Sequence, residues 1–96
     1  MKIHFTKLAI WDAHAIAAYI AQESSVEMAH TVLDRIYNSI ESLSLFPEQG
    51  KAGRVPGTRE LIVSRTPFVV SYRIAKKEIH VLALMHGARR WPESFG

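Results

Sequence analysis

The sequence predicts an α+β fold of order βααβββ, a helix hairpin packed on one face of a small, mainly antiparallel four-stranded sheet. Three observations carry this expectation. Residues 2–6 alternate between apolar and polar side chains. Residues 7–43 hold apolar side chains at three- and four-residue spacing, and residues 59–85 divide into three short runs rich in β-branched and aromatic residues.

In the first run Ile3 and Phe5 share one side and Lys2, His4 and Thr6 the other, the period of a half-buried strand. Over residues 7 to about 22, Ala9, Ala13, Ile16 and Ile20 recur at helical spacing, with Asp12 and Tyr19 at neighbouring positions and Thr6 as a suitable cap. Ser24-Ser25-Val26-Glu27 matches a capping box, in which the serine hydroxyl accepts the amide three residues on and the glutamate reaches back, so a second helix starts here. Its stripe of Ala29, Val32, Leu33, Ile36, Tyr37, Ile40 and Leu43 faces a core, while Glu27, Asp34, Arg35, Asn38 and Glu41 lie mostly off it. Burying each large apolar side chain stabilises by about 1.5–3 kcal/mol before entropy is subtracted. The tight connection makes the two helices an antiparallel hairpin.

Pro47 is expected to stop the second helix, because its ring and missing amide cannot be carried in a helix interior. Residues 47–58 contain three glycines and two prolines without periodicity, a loop long enough to suggest function. Strands follow at 59–65, 68–75 and 78–85, the last two joined through a Lys76-Lys77 turn. The last is apolar at nearly every position from Ile79 to Met85, which predicts a central strand covered on both faces.

A chain of 96 residues is expected to form a single domain over 1–96 and to bury roughly 60–70% of its unfolded surface. It has no cysteine, which excludes disulfides and thiolate metal sites and fits a reducing cytoplasm. The N-terminus lacks the pattern of a secretory leader, and no window approaches the ~18 apolar residues of a membrane span. The expectation is a soluble, cytoplasmic protein without a membrane partner. His4, His14, His30 and His80 lack metal-binding spacing, and Gly50-Lys51-Ala52-Gly53 lacks the glycine spacing of a phosphate loop, so neither metal nor cofactor is expected.

Charge is polarised: residues 1–50 carry a net −3 and residues 51–96 a net +6. Arg54, Arg59, Arg73, Arg89, Arg90 and His86 fall on or beside the expected sheet. Such a surface suits phosphate, nucleic acid or an acidic protein segment.

Several segments together resemble the RelE/ParE superfamily of bacterial type II toxins. They are Ala9-x-x-Asp12, Tyr19-Ile20-Ala21, Ala29 with Val32-Leu33-Asp34-Arg35-Ile36, Leu45-Phe46-Pro47-Glu48-x-Gly50, the run from Arg54 to Leu61, Tyr72-Arg73 and His86-Gly87-Ala88-Arg89. The resemblance implies a RelE/ParE-like fold and a small growth-inhibiting toxin. Its partner would be a cognate antitoxin that wraps it in a hetero-oligomer. Two activities occur on this fold: RelE-like members cleave messenger RNA in the ribosomal A site, and ParE-like members inhibit DNA gyrase. Fold alone does not choose between them.

For a metal-independent nuclease, His86 would exchange protons and Arg59 and Arg73 would stabilise the phosphate charge. Lys51 and Arg54 would clamp phosphate from the loop, and Glu48 is a further candidate base. Against that reading, Val69 stands where some ribosome-dependent nucleases carry arginine, and the helices hold only Lys7 and Arg35 as cations. The ParE-like, non-enzymatic reading therefore ranks first. A RelE-like endoribonuclease, or an inactive toxin acting only in an antitoxin-repressor complex, stands behind it. Target or phosphate contacts are expected from Lys51, Arg54, Arg65, Arg89, Arg90 and Trp91, with the tail joining the contacting surface. The plainer role for His86 is to bond a backbone group at a strand end.

Overall fold

The computed structural model describes residues 1–95. Its elements are β1 (Lys2–Phe5), α1 (Lys7–Glu23), α2 (Val26–Ser42), β2 (Lys51–Ala52), β3 (Arg59–Ile62), β4 (Phe68–Ala75) and β5 (Glu78–His86). The strands form one sheet in the order β1-β5-β4-β3-β2, parallel between β1 and β5 and antiparallel elsewhere. The four expected strands are present, with β5 in the interior. A fifth, β2, arises inside the 47–58 loop, where Lys51 and Ala52 pair with Glu60 and Arg59.

Local boundaries differ from expectation for identifiable reasons. The cap of α2 is Ser25, one residue later than the capping box implies: its hydroxyl accepts from the Met28 amide at 3.0 Å. Glu27 then stands one position too early to reach back. It still sits in the first turn, where the helix dipole favours a carboxylate. Helix α2 ends at Ser42, before Pro47 is reached. The amides of Leu43, Ser44 and Leu45 bond three residues back, a tightening that closes the helix. Strand β3 stops at Ile62 because residues 63–66 form a turn in which Thr66 donates to the Val63 carbonyl and Arg65 adopts φ +63°.

The core lies between the helix hairpin and one sheet face. Ala9 and Ala13 of α1 and Val32, Ile36 and Ile40 of α2 pack with Leu61, Val70, Tyr72, Ile79 and Val81. Strand β1 ends at Phe5, opposite Val81, so the rest of that β5 edge has no strand beside it. Thr6 and α1 replace the missing strand. The Thr6 amide donates to the Val81 carbonyl, the Thr6 hydroxyl to the Leu82 carbonyl, and the Leu84 amide to Asp12 Oδ2 at 3.0 Å. Position 82 is the extra residue of a bulge, since Ser71 pairs with Ala83 but Tyr72 with Val81.

Candidate functional site

Strand register assigns each candidate to a face. Paired residues share a side, so Arg59, Leu61, Phe68, Val70, Tyr72, Leu84 and His86 face the helices, whereas Glu60, Ser71, Arg73 and His80 face away. The expected trio of His86, Arg59 and Arg73 is therefore not brought together. Arg73 projects from the opposite face. Arg59 lies beside Tyr72 and His86 beside Phe68, four positions apart on β4, or about 13 Å along the strand.

The three side chains are placed differently. Arg59 Nη1 donates to the carbonyls of Gly50 at 2.8 Å and Glu48 at 3.2 Å, and Nη2 lies 3.7 Å from Glu48 Oε1. It latches the loop after α2 to β3. Glu48 is thus an exposed loop carboxylate beside a structural arginine. His86 Nδ1 accepts from the Ala88 amide at 3.1 Å, and its ring meets Phe68 edge-on. This is the plainer role, at a strand end. Arg73 Nε is buried and has no hydrogen-bond partner among the described residues.

The remaining candidates split into two groups. On the outer face, Arg54 donates through Nη1 to the Gly87 carbonyl, ion-pairs through Nε with Glu60, and stacks at 4.1 Å on the Trp91 ring. The tail therefore returns over this face, and the buried side-chain atoms Glu60 Oε1, Ser71 Oγ and Trp91 Nε1 also lack hydrogen-bond partners among the described residues. Lys51 is exposed on the β2 edge, and Arg90 is exposed in the tail.

On the helix side, Arg65, His86 and Arg89 border a groove of about 770 Å³ between α1, the start of α2 and the ends of β4 and β5. Its apolar lining includes Ile16, Tyr19, Met28 and Phe68. Asp12 also lines it. Burial raises its carboxyl above the usual range, and the bond from the Leu84 amide partly offsets this. The sequence signal for Asp12 is a lone carboxylate within an apolar helix; nothing in the periodicity marks Met28 as groove lining.

A model of the ParE toxin of the type II toxin-antitoxin system parDE matches residues 3–91. The chain belongs to the ParE toxin family. Y4kP of Sinorhizobium fredii is 32% identical over 92 residues, covering 96% of this chain and 94% of that protein. Toxin RelE2 of Caulobacter vibrioides is 32% identical over 88 residues, covering 92% and 97% respectively. A solved chain from the chromosomal ParDE system of P. aeruginosa superimposes with a TM-score of 0.84 at 28% identity, covering 90% of this chain and 95% of that one. The ParE-family chain is thus the toxin component of a type II toxin-antitoxin system. Among the described residues, no helix is long and apolar enough to cross a membrane.

Proposed function

We propose that this ParE-family toxin arrests growth by binding DNA gyrase, not by cutting RNA. The observation that carries this reading is the divergence of His86, Arg59 and Arg73 onto separate places of the sheet. Phosphodiester cleavage without a metal needs a proton-transfer group and charge stabilisation at one reacting centre, within hydrogen-bond reach. Arg59 is instead committed to backbone carbonyls, and Nδ1 of His86 accepts from a backbone amide. The exposed tail, Lys51 and the Arg54–Trp91 pair supply the target contacts.

Neutralisation falls to a cognate antitoxin segment. The groove offers an apolar lining and the guanidiniums of Arg65 and Arg89, a combination that suits an acidic, amphipathic segment. Binding should weaken as salt rises, through the exposed arginines at the rim.

The test is purified protein in two assays side by side. Inhibition of gyrase supercoiling without cleavage of ribosome-bound messenger RNA supports the proposal, and His86→Ala should leave that inhibition intact. A second reading, ribosome-dependent cleavage, draws on the likeness to Toxin RelE2. A-site cleavage that His86→Ala abolishes would establish it instead. A protein inert in both assays, and harmless when induced, would be a relic retained for an antitoxin-repressor complex.

A further inference from the structure

One end of the outer sheet face carries cations that belong neither to the groove nor to the tail. Register sets Lys2 beside Glu78, His4 beside His80 and His80 beside Arg73, so these side chains share the face turned away from the helices. The β4–β5 hairpin turns at the same end through Lys76 and Lys77, both exposed. Lys2, Arg73, Lys76 and Lys77 have no ion-pair partner among the described residues. The acid in this cluster is Glu78, shared between His4 at 3.1 Å and His80 at 3.8 Å.

The turn departs from what its geometry favours. Ala75 pairs with Glu78, so the loop holds two residues, and both take positive φ, +53° at Lys76 and +59° at Lys77. A hairpin of this type favours Asn-Gly, because most side chains are disfavoured in the left-handed region. Two lysines there put charge at the tip against the backbone preference, a conflict characteristic of functional positions.

The chemistry of the cluster selects its partner. Strands lie about 4.8 Å apart, so the four permanent cations on β1, β4 and the turn fall within roughly 10–15 Å. A DNA duplex carries one phosphate charge per about 1.7 Å of axis, or roughly six to nine over that span, with about half on the near side. The neighbouring Ile3, Ile74 and Ile79 turn to the core, so the cluster offers charge without the apolar anchor that an amphipathic acidic segment uses. No Phe, Tyr or Trp belongs to it, and His4 and His80 stack on one another at 5.4 Å, which leaves no platform for unpaired bases. We infer that this end of the outer face binds the phosphate backbone of duplex DNA, independently of sequence. It lies at the far end of β5 from the tail, and its role holds whichever enzyme the toxin disables.

Fluorescence anisotropy of a short labelled duplex, titrated with the full chain, tests this. A dissociation constant of about 1–100 μM at physiological salt is expected, with a log–log salt slope of roughly −3.6 for four phosphate contacts. Lys76→Asn/Lys77→Gly gives the turn its favoured residues while removing two cations. This variant should unfold at the same or a higher temperature, yet bind about tenfold more weakly, its slope reduced by about two. Lys2→Ala should reduce the slope by about one, and Glu78→Gln should tighten binding roughly threefold. Lys7→Ala, which removes a cation at the start of α1, should change nothing. A duplex left unbound even at low salt overturns the assignment, and so does a turn variant that binds as tightly as the parent or a Glu78→Gln variant that binds no more tightly. Equal losses from Lys7→Ala and Lys2→Ala would mean that net charge alone acts, with no site. Tighter binding to RNA, or displacement of the duplex by polyglutamate of matched charge, would give the surface to a different partner and overturn it too.

Discussion

The carboxylate of Glu60 holds Arg54 twice: the Arg54 backbone amide donates to Oε2 at 2.6 Å, and its guanidinium Nε lies 3.4 Å from Oε1. Glu60 is almost wholly buried, whereas the Arg54 side chain is 45% exposed. The pair is therefore asymmetric. Arg54→Ala leaves a buried carboxylate with a single amide and should cost about 2–3 kcal/mol. Glu60→Gln keeps an acceptor for that amide and lets Arg54 turn to water, so it should cost about 1 kcal/mol. In urea denaturation, the double variant should be less destabilised than the two losses summed, because the buried charge is gone.

Tyr72 joins the central sheet to the loop after α2. Its hydroxyl donates to the Pro47 carbonyl at 2.7 Å and accepts from the Gly50 amide at 2.9 Å. Tyr72→Phe leaves both backbone groups without this partner and should lower stability by about 1–3 kcal/mol. Gly50→Ala should cost a similar amount, roughly 1–3 kcal/mol for overpacking. A Cβ there would lie 2.7 Å from the Tyr72 hydroxyl and 2.8 Å from the Glu60 carbonyl oxygen. Thermal unfolding of both variants checks the two losses.

The Asp12 carboxyl is raised above its unfolded value, chiefly by burial. A raised folded pKa means that its contribution is fully present below the unfolded value near 3.8 and is lost as pH rises through the folded value. Asp12→Asn removes that loss while keeping an acceptor for the Leu84 amide. The stability of the variant relative to the parent should therefore increase from acid to neutral pH. Glu78 works in the opposite sense: its hydrogen bond with His4 lowers its carboxyl, so its contribution fades as pH falls through the folded value. Denaturant titrations at several pH values separate the two.

Truncation after Ala88 removes Arg89, Arg90 and Trp91, and with them the stacking on Arg54. None of these residues belongs to the core. The shortened chain should stay folded, losing about 0.5–1 kcal/mol with the cation–π contact. Induced expression should no longer arrest growth. A truncated chain that still arrests growth would remove the tail from the contacting surface.

The sequence by itself determined the order of every element but the two-residue strand β2, because periodicity in α2 and alternation in β1 are local properties of the chain, whereas β2 exists only through its pairing with β3. It also determined that β5 lies inside the sheet, although the middle strand is β4 and β5 neighbours the edge strand β1. Likewise the family was legible in segments such as Arg54 to Leu61, spread over almost the whole chain. What only the tertiary structure decided was which cations meet. Neighbouring positions on a strand point to opposite sides, so whether Arg73 joins Arg59 or leaves it depends on the register with β3. That register separated Arg73 from His86 and placed Arg54 on Glu60. It is fixed by the burial of Leu61, Val70 and Tyr72 against the helices, a relation among distant residues that no local pattern encodes.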